Sequence, residues 1–202
     1  MPQTGRNAGR RRTPRRPAAP RLLDPILTLW ERAERRHSHI RPIRRGGVMG
    51  VQFSRHKGER VQLADGATVT PGDPVGVLHF DNTRAPEIAG TSWQGRAFSE
   101  ARLDFQVLAT WARRQPPEKR PIAYRGATLV GPIARRVGFE VRPRRRTWRT
   151  RLDDWFMRWL MAHWSPLGRS RLERGHGRLR SSDVWLSDRT LQRLYGQDET
   201  QS

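Results

Sequence analysis

The sequence predicts an α+β domain, an antiparallel β-meander packed against three main helices behind a disordered, arginine-rich N-terminal tail. Three observations carry that reading. Residues 59–82, ERVQLADGATVTPGDPVGVLHFDN, alternate polar with apolar residues and are broken by turn chemistry, as short half-buried strands are. Apolar residues recur at helical spacing on either side of that stretch. Residues 1–21 hold seven arginines and no acid, with Pro14, Pro17 and Pro20 among them, and have nothing with which to build a core. The expected organisation is a tail over 1–21, one domain over 22–196 and a disordered end over 197–202.

In chain order, Asp24-Pro25 opens a helix with a capping side chain and a proline at the first helical position. Leu23, Ile26, Leu27, Trp30 and Ala33 give it an apolar stripe to about residue 37. Strands are expected at 48–53, 59–63, 68–70 and 75–80. Asp65-Gly66 suits a tight hairpin whose central residues need positive φ. Residues 83–97 read as a loop. A second helix, 99–113, carries Phe105, Leu108 and Ala112, and a proline-containing linker follows to Pro121. A short helix over 128–137 stops at Gly138, and 139–141 returns as a strand. A third long helix, 152–163, aligns Leu152, Trp155, Phe156, Trp159, Leu160 and His163 and is expected to face the core. Asp183–Leu186 is the last strand, and Ser187 or Asp188 caps a terminal helix with Leu191, Leu194 and Tyr195.

Composition narrows the partners. The net charge is +21, from 40 Lys+Arg against 19 Asp+Glu, and only Lys57 and Lys119 are lysines. Guanidinium stays ionised and forks onto phosphates and carboxylates, so the balance points to an anionic polymer or an acidic membrane surface, with nucleic acid as the alternative. Absence of cysteine removes disulfides and thiolate metal sites. No run reaches the roughly 20 apolar residues of a membrane span, and Asp24-Pro25 interrupts the short apolar start. A cytoplasmic protein is expected, with a peripheral hold on the inner face of the membrane left open.

Two groups of side chains stand out. His79, Asp81 and Asn82 end a strand on which His79 and Asp81 share a face while Leu78 and Phe80 point to the core. The histidine reads either as a general base oriented by Asp81, which would raise its pKa, or as a ring bonded into a turn. The second group is basic: Arg10, Arg11, Arg12, Arg15 and Arg16 in the tail, and Arg142, Arg144, Arg145, Arg146, Arg149 and Arg151 around Trp148. Arginine forks beside an aromatic platform suit single-stranded nucleic acid and anionic head groups alike. His37 and His39 diverge by about 200° on a helix and define no metal site. The motifs GxSxG, HExxH, GxxxxGK[ST] and GxGxxG are absent, so no cofactor, metal or recognised catalytic motif is assigned.

The segments LADGATVTPGDPVGVLHFDN, YRGATLVGPIARRVGFEV and DVWLSDRTLQRLYG, in that order and spacing, resemble the YkoP-like domain family of bacteria over roughly residues 25–196. The resemblance implies no established activity. The family occurs alone or attached to polysaccharide deacetylase domains, which implies work on envelope polysaccharides or glycolipids. Leu78, His79 and Asn82 match its Leu-His-x-Asn element. The deacetylase metal motifs are absent, so that activity is not carried over, and the arginine tail and the 142–151 cluster are additions of this chain.

Overall fold

A computed structural model describes residues 39–81, 93–164 and 180–196. The basic tail, the 24–37 helix, Asn82 and residues 197–202 lie outside the described residues. The strands are β1 (Arg41–Pro42), β2 (Met49–Arg55), β3 (Val61–Gln62), β4 (Thr68–Val69), β5 (Pro74–Phe80), β6 (Ala123–Thr128), β7 (Glu140–Pro143) and β8 (Ser182–Ser187). The helices are α1 (Trp93–Arg113), α2 (Gly131–Arg136), α3 (Trp148–Trp164) and α4 (Asp188–Tyr195). The α+β class holds, with a mostly antiparallel sheet.

The predicted meander divides in two. Strand β2 pairs directly with β5 along its whole length, Met49 opposite Phe80 and Arg55 opposite Pro74. The turn-rich segment between them folds back as a separate hairpin, β3 on β4. Gly66 supplies its positive φ, 84°, where the Asp-Gly pair demands it. The main sheet runs β1-β2-β5-β6-β8-β7, and β5–β6 is its parallel pair. α1 carries the crossover between those two strands.

Strand β6 sits in the middle of the sheet, yet its sequence, AYRGAT, carries no β-branched run and was not expected as a strand. Its place follows from close approach. A Cβ at Gly126 would lie 3.2 Å from the Leu78 carbonyl oxygen, so only glycine fits there unhindered.

Each face of the sheet has its own cover. Val51, Leu78, Tyr124, Val184 and Leu186 pack against Phe105, Leu108 and Ala109 of α1 and Leu191 and Tyr195 of α4. On the other face Val75, Ala123 and Trp185 lie under Leu63 and Val69 of the small hairpin. Phe80, expected in the core, is 37% exposed, because the sheet's cover ends before the last residue of β5.

One buried carboxylate ties α1 to the loop before β2. Asp104 is fully buried and accepts from the backbone N–H of Val48 (2.7 Å) and Met49 (2.9 Å) and from Arg44 Nε (3.1 Å). Three donors satisfy an anion that would otherwise be costly to bury. Arg44 also bonds Glu100, one turn earlier on the same helix. A Cβ at Gly47 would stand 2.2 Å from Asp104 Oδ1, so the loop needs glycine for the carboxylate to reach it.

Candidate functional site

The basic cluster is organised by the start of α3. Thr147 Oγ1 accepts from Thr150 N (3.2 Å), and Thr150 Oγ1 accepts from Thr147 N (2.9 Å), a reciprocal cap that sets the helix's first turn. The helix therefore begins at Trp148 rather than at Leu152, and Trp148, Arg149 and Arg151 become helical residues with a defined facing.

Six arginines were expected to form one patch, and the structure separates them. Arg142 is tied inward to Glu140 (3.0 Å) and to the Gln62 carbonyl. Arg144 joins Asp153 (3.1 Å), Asp183 (3.0 Å) and the Ser181 hydroxyl (3.2 Å). Arg145, Arg146, Arg149 and Arg151 are exposed and have no carboxylate partner among the described residues. Arg149 lies over the Trp148 ring, 5.3 Å from its centroid.

Part of the expected core face of α3 is turned outward: Leu152 and Trp155 are exposed, while Phe156 and Trp159 are half-buried. Trp148 is 70%, Leu152 56% and Trp155 61% exposed. At about 100° per residue these three fall within roughly 60° of one another around the axis. Asp153 and Asp154 fall on the far side, and among the described residues they tie the helix to other segments. Asp153 takes the Arg144 guanidinium, and Asp154 accepts from Ser181 N at 2.9 Å. Carboxylates thus hold α3 to Arg144 and to the chain entering β8, while Trp148 and Trp155 look away, flanked by Arg149 and Arg151. The apolar periodicity was legible; which side would dock was not, because it is decided by partners at 144 and 181.

His79 and Asp81 do not form the expected pair. No hydrogen bond joins them, and burial lowers the imidazole pKa instead of a carboxylate raising it. Nε2 of His79 is shielded from solvent with no hydrogen-bond partner among the described residues. The Asp81 backbone N–H donates to the Val48 carbonyl at 2.7 Å. The third member, Asn82, and the tail arginines 10, 11, 12, 15 and 16 lie outside the described residues.

Another histidine is structural in its contacts. His56 is buried, its Nε2 lies 2.8 Å from the Glu59 carbonyl, and its ring meets Trp185 edge-on. A cleft of about 260 Å³ lies between the small hairpin and α4, lined by residues that include Asp65, Glu140, Ser187 and Thr190. Its polar walls are engaged: Asp65 accepts from the Ser187 and Thr190 hydroxyls and from Ala67 N.

A family model for the YkoP domain matches residues 21–195. The chain belongs to the YkoP domain family. The match spans every described strand and helix of this YkoP domain and begins where the arginine tail ends. No curated protein and no solved structure matches the chain. Among the described residues no helix is long and apolar enough to cross a membrane.

Proposed function

We propose that this YkoP protein is a polyanion-binding accessory module that sits on anionic membrane surfaces through α3 and serves envelope polysaccharide or glycolipid metabolism. One observation carries the membrane part: Trp148, Leu152 and Trp155 form an outward apolar stripe between arginines that no carboxylate among the described residues neutralises. An interfacial helix has that pattern, with aromatic and aliphatic side chains at the acyl boundary and guanidinium at the head groups. The link to envelope metabolism rests on the family resemblance alone.

Binding to vesicles with and without acidic phospholipid tests it. Association is expected with acidic vesicles, weakening as salt rises because surface charges are screened. Replacing Arg145, Arg146, Arg149 and Arg151 together by Gln should weaken it about a thousandfold, each arginine near such a surface contributing roughly a factor of five to ten. Equal affinity for neutral and acidic vesicles, or no association with either, overturns the reading.

Nucleic acid is the second reading, favoured by the Arg149–Trp148 stack, which could extend to a base. Leu152, at the centre of the stripe, offers neither a hydrogen bond nor a ring to such a partner. A steeply salt-dependent gel shift with single-stranded DNA, together with indifference to acidic vesicles, would put this reading first.

A further inference from the structure

The sheet face away from α1 carries a polar group of side chains on its central strands. Register fixes who shares that face. Gln52 of β2 stands opposite Val77 of β5, Val77 beside Arg125 of β6, and Arg125 opposite Trp185 of β8. His79 is one rung along β5 from Val77, so it points the same way and lies roughly 8 Å from Arg125, Cα to Cα. The small hairpin covers the other end of this face, over Val75, Ala123 and Trp185. Beyond that cover Gln52, Val77, Arg125 and His79 are half-buried, and Ala127, farther along β6, is exposed.

Two of these groups are unsatisfied in complementary ways. Arg125 is half-buried with no carboxylate partner among the described residues; its contact is the Trp185 ring, 5.9 Å away. Burial of a cation without an anion is unfavourable, and a ring contact takes up none of the guanidinium's N–H donors, which stay able to fork onto an oxyanion. His79 Nε2 is shielded and lacks a hydrogen-bond partner among the described residues. A buried polar nitrogen left unpaired on a central strand calls for a reason. Burial also keeps the ring neutral, so it can donate or accept.

We propose that Arg125, His79 and Gln52 form a binding site for the oxyanion, phosphate or carboxylate, of a small hydroxylated molecule. Arg125 takes the charge through its fork, His79 Nε2 takes or gives one hydrogen bond, and Gln52 at the rim offers an amide to a neighbouring hydroxyl. The site uses none of the α3 residues and stands independently of the membrane reading.

The test is a titration of the full chain with inorganic phosphate and, separately, with D-glucuronate. The readouts are the ring signals of His79, assigned with His79→Gln, and the melting temperature. A saturable shift of those signals and a raised melting temperature are expected in the wild type and in the fourfold arginine variant alike. In Arg125→Gln the apparent affinity should fall roughly tenfold or more. If Arg125→Gln does not fold, Gln52→Ala takes its place with a smaller expected loss. No response of His79 to either probe, or an unchanged response in the variant, overturns the site. Acidic vesicles distinguish the source. Wild-type vesicle binding by Arg125→Gln assigns the oxyanion to a free molecule, and vesicle binding lost in that variant assigns it to a lipid head group.

Discussion

Helices α1 and α3 have the same kind of sequence and opposite fates. Each carries an apolar stripe, and each carries carboxylates that reach another segment. In α1 the stripe and the key carboxylate face the same way: Phe105, Leu108, Ala109 and Ala112 are buried beside Asp104, which is itself fully buried. In α3 they face opposite ways, so docking through Asp153 and Asp154 leaves Trp148, Leu152 and Trp155 outside. Apolar periodicity therefore shows that a helix is amphipathic, and the position of its acids relative to their partners shows which side is spent on the fold.

Substitutions can break that contrast. The largest effect is expected from Phe105→Ala, which opens a cavity among Phe139, Tyr195 and the sheet and should cost about 3–5 kcal/mol in denaturant unfolding. Trp155→Ala is the matched change in α3. It should leave stability within about 0.5 kcal/mol of wild type while weakening association with acidic vesicles. A large loss of stability there would mean that the tryptophan serves the core after all. Asp104→Asn comes next, keeping the shape but removing the charge that three donors converge on, at about 2–3 kcal/mol.

The smallest effect is in acid. Burial pushes the Asp65 pKa up, but hydrogen bonds from Ser187, Ala67 and Thr190 together outweigh it, so the folded-state pKa lies below the ordinary carboxylate value. The stabilisation is then complete above that ordinary value and is lost as pH falls through the lower, folded-state one. Asp65→Asn should flatten the acid limb of the stability curve, as read by thermal melts between neutral pH and acid, and a limb identical to wild type would remove Asp65 from the account.

What was legible in the sequence was local. Asp65-Gly66 announced the hairpin, Ser187 announced α4 and indeed caps it, accepting from Thr190 N at 2.9 Å, and Gly138 took the positive φ, 91°, that ends α2. Each of these depends on neighbours a few residues away. What was hidden depends on distant partners. Nothing in AYRGAT declares a central strand until Leu78 lies against it, and nothing near Gly47 names Asp104 as the group that needs it small. The candidate site divides the same way. The arginines and Trp148 were visible as a cluster, but their division into tied and outward groups required Asp153, Asp183 and Glu140 in place. Arg125 and Gln52 escaped notice because each is an ordinary polar residue in its own strand and acquires meaning only beside His79.

The order of strands has a consequence for how the protein comes apart. β6 is bordered on one side by β5, from the first half of the chain, and on the other by β8, from its end. β2 and β5 precede α1 while β6 and β8 follow it, so neither half of the chain alone contains the β5–β6 pair at the middle of the sheet. Cutting the chain between α1 and β6 should therefore lower the stability of both halves, and in synthesis the sheet cannot close until β8 has been made.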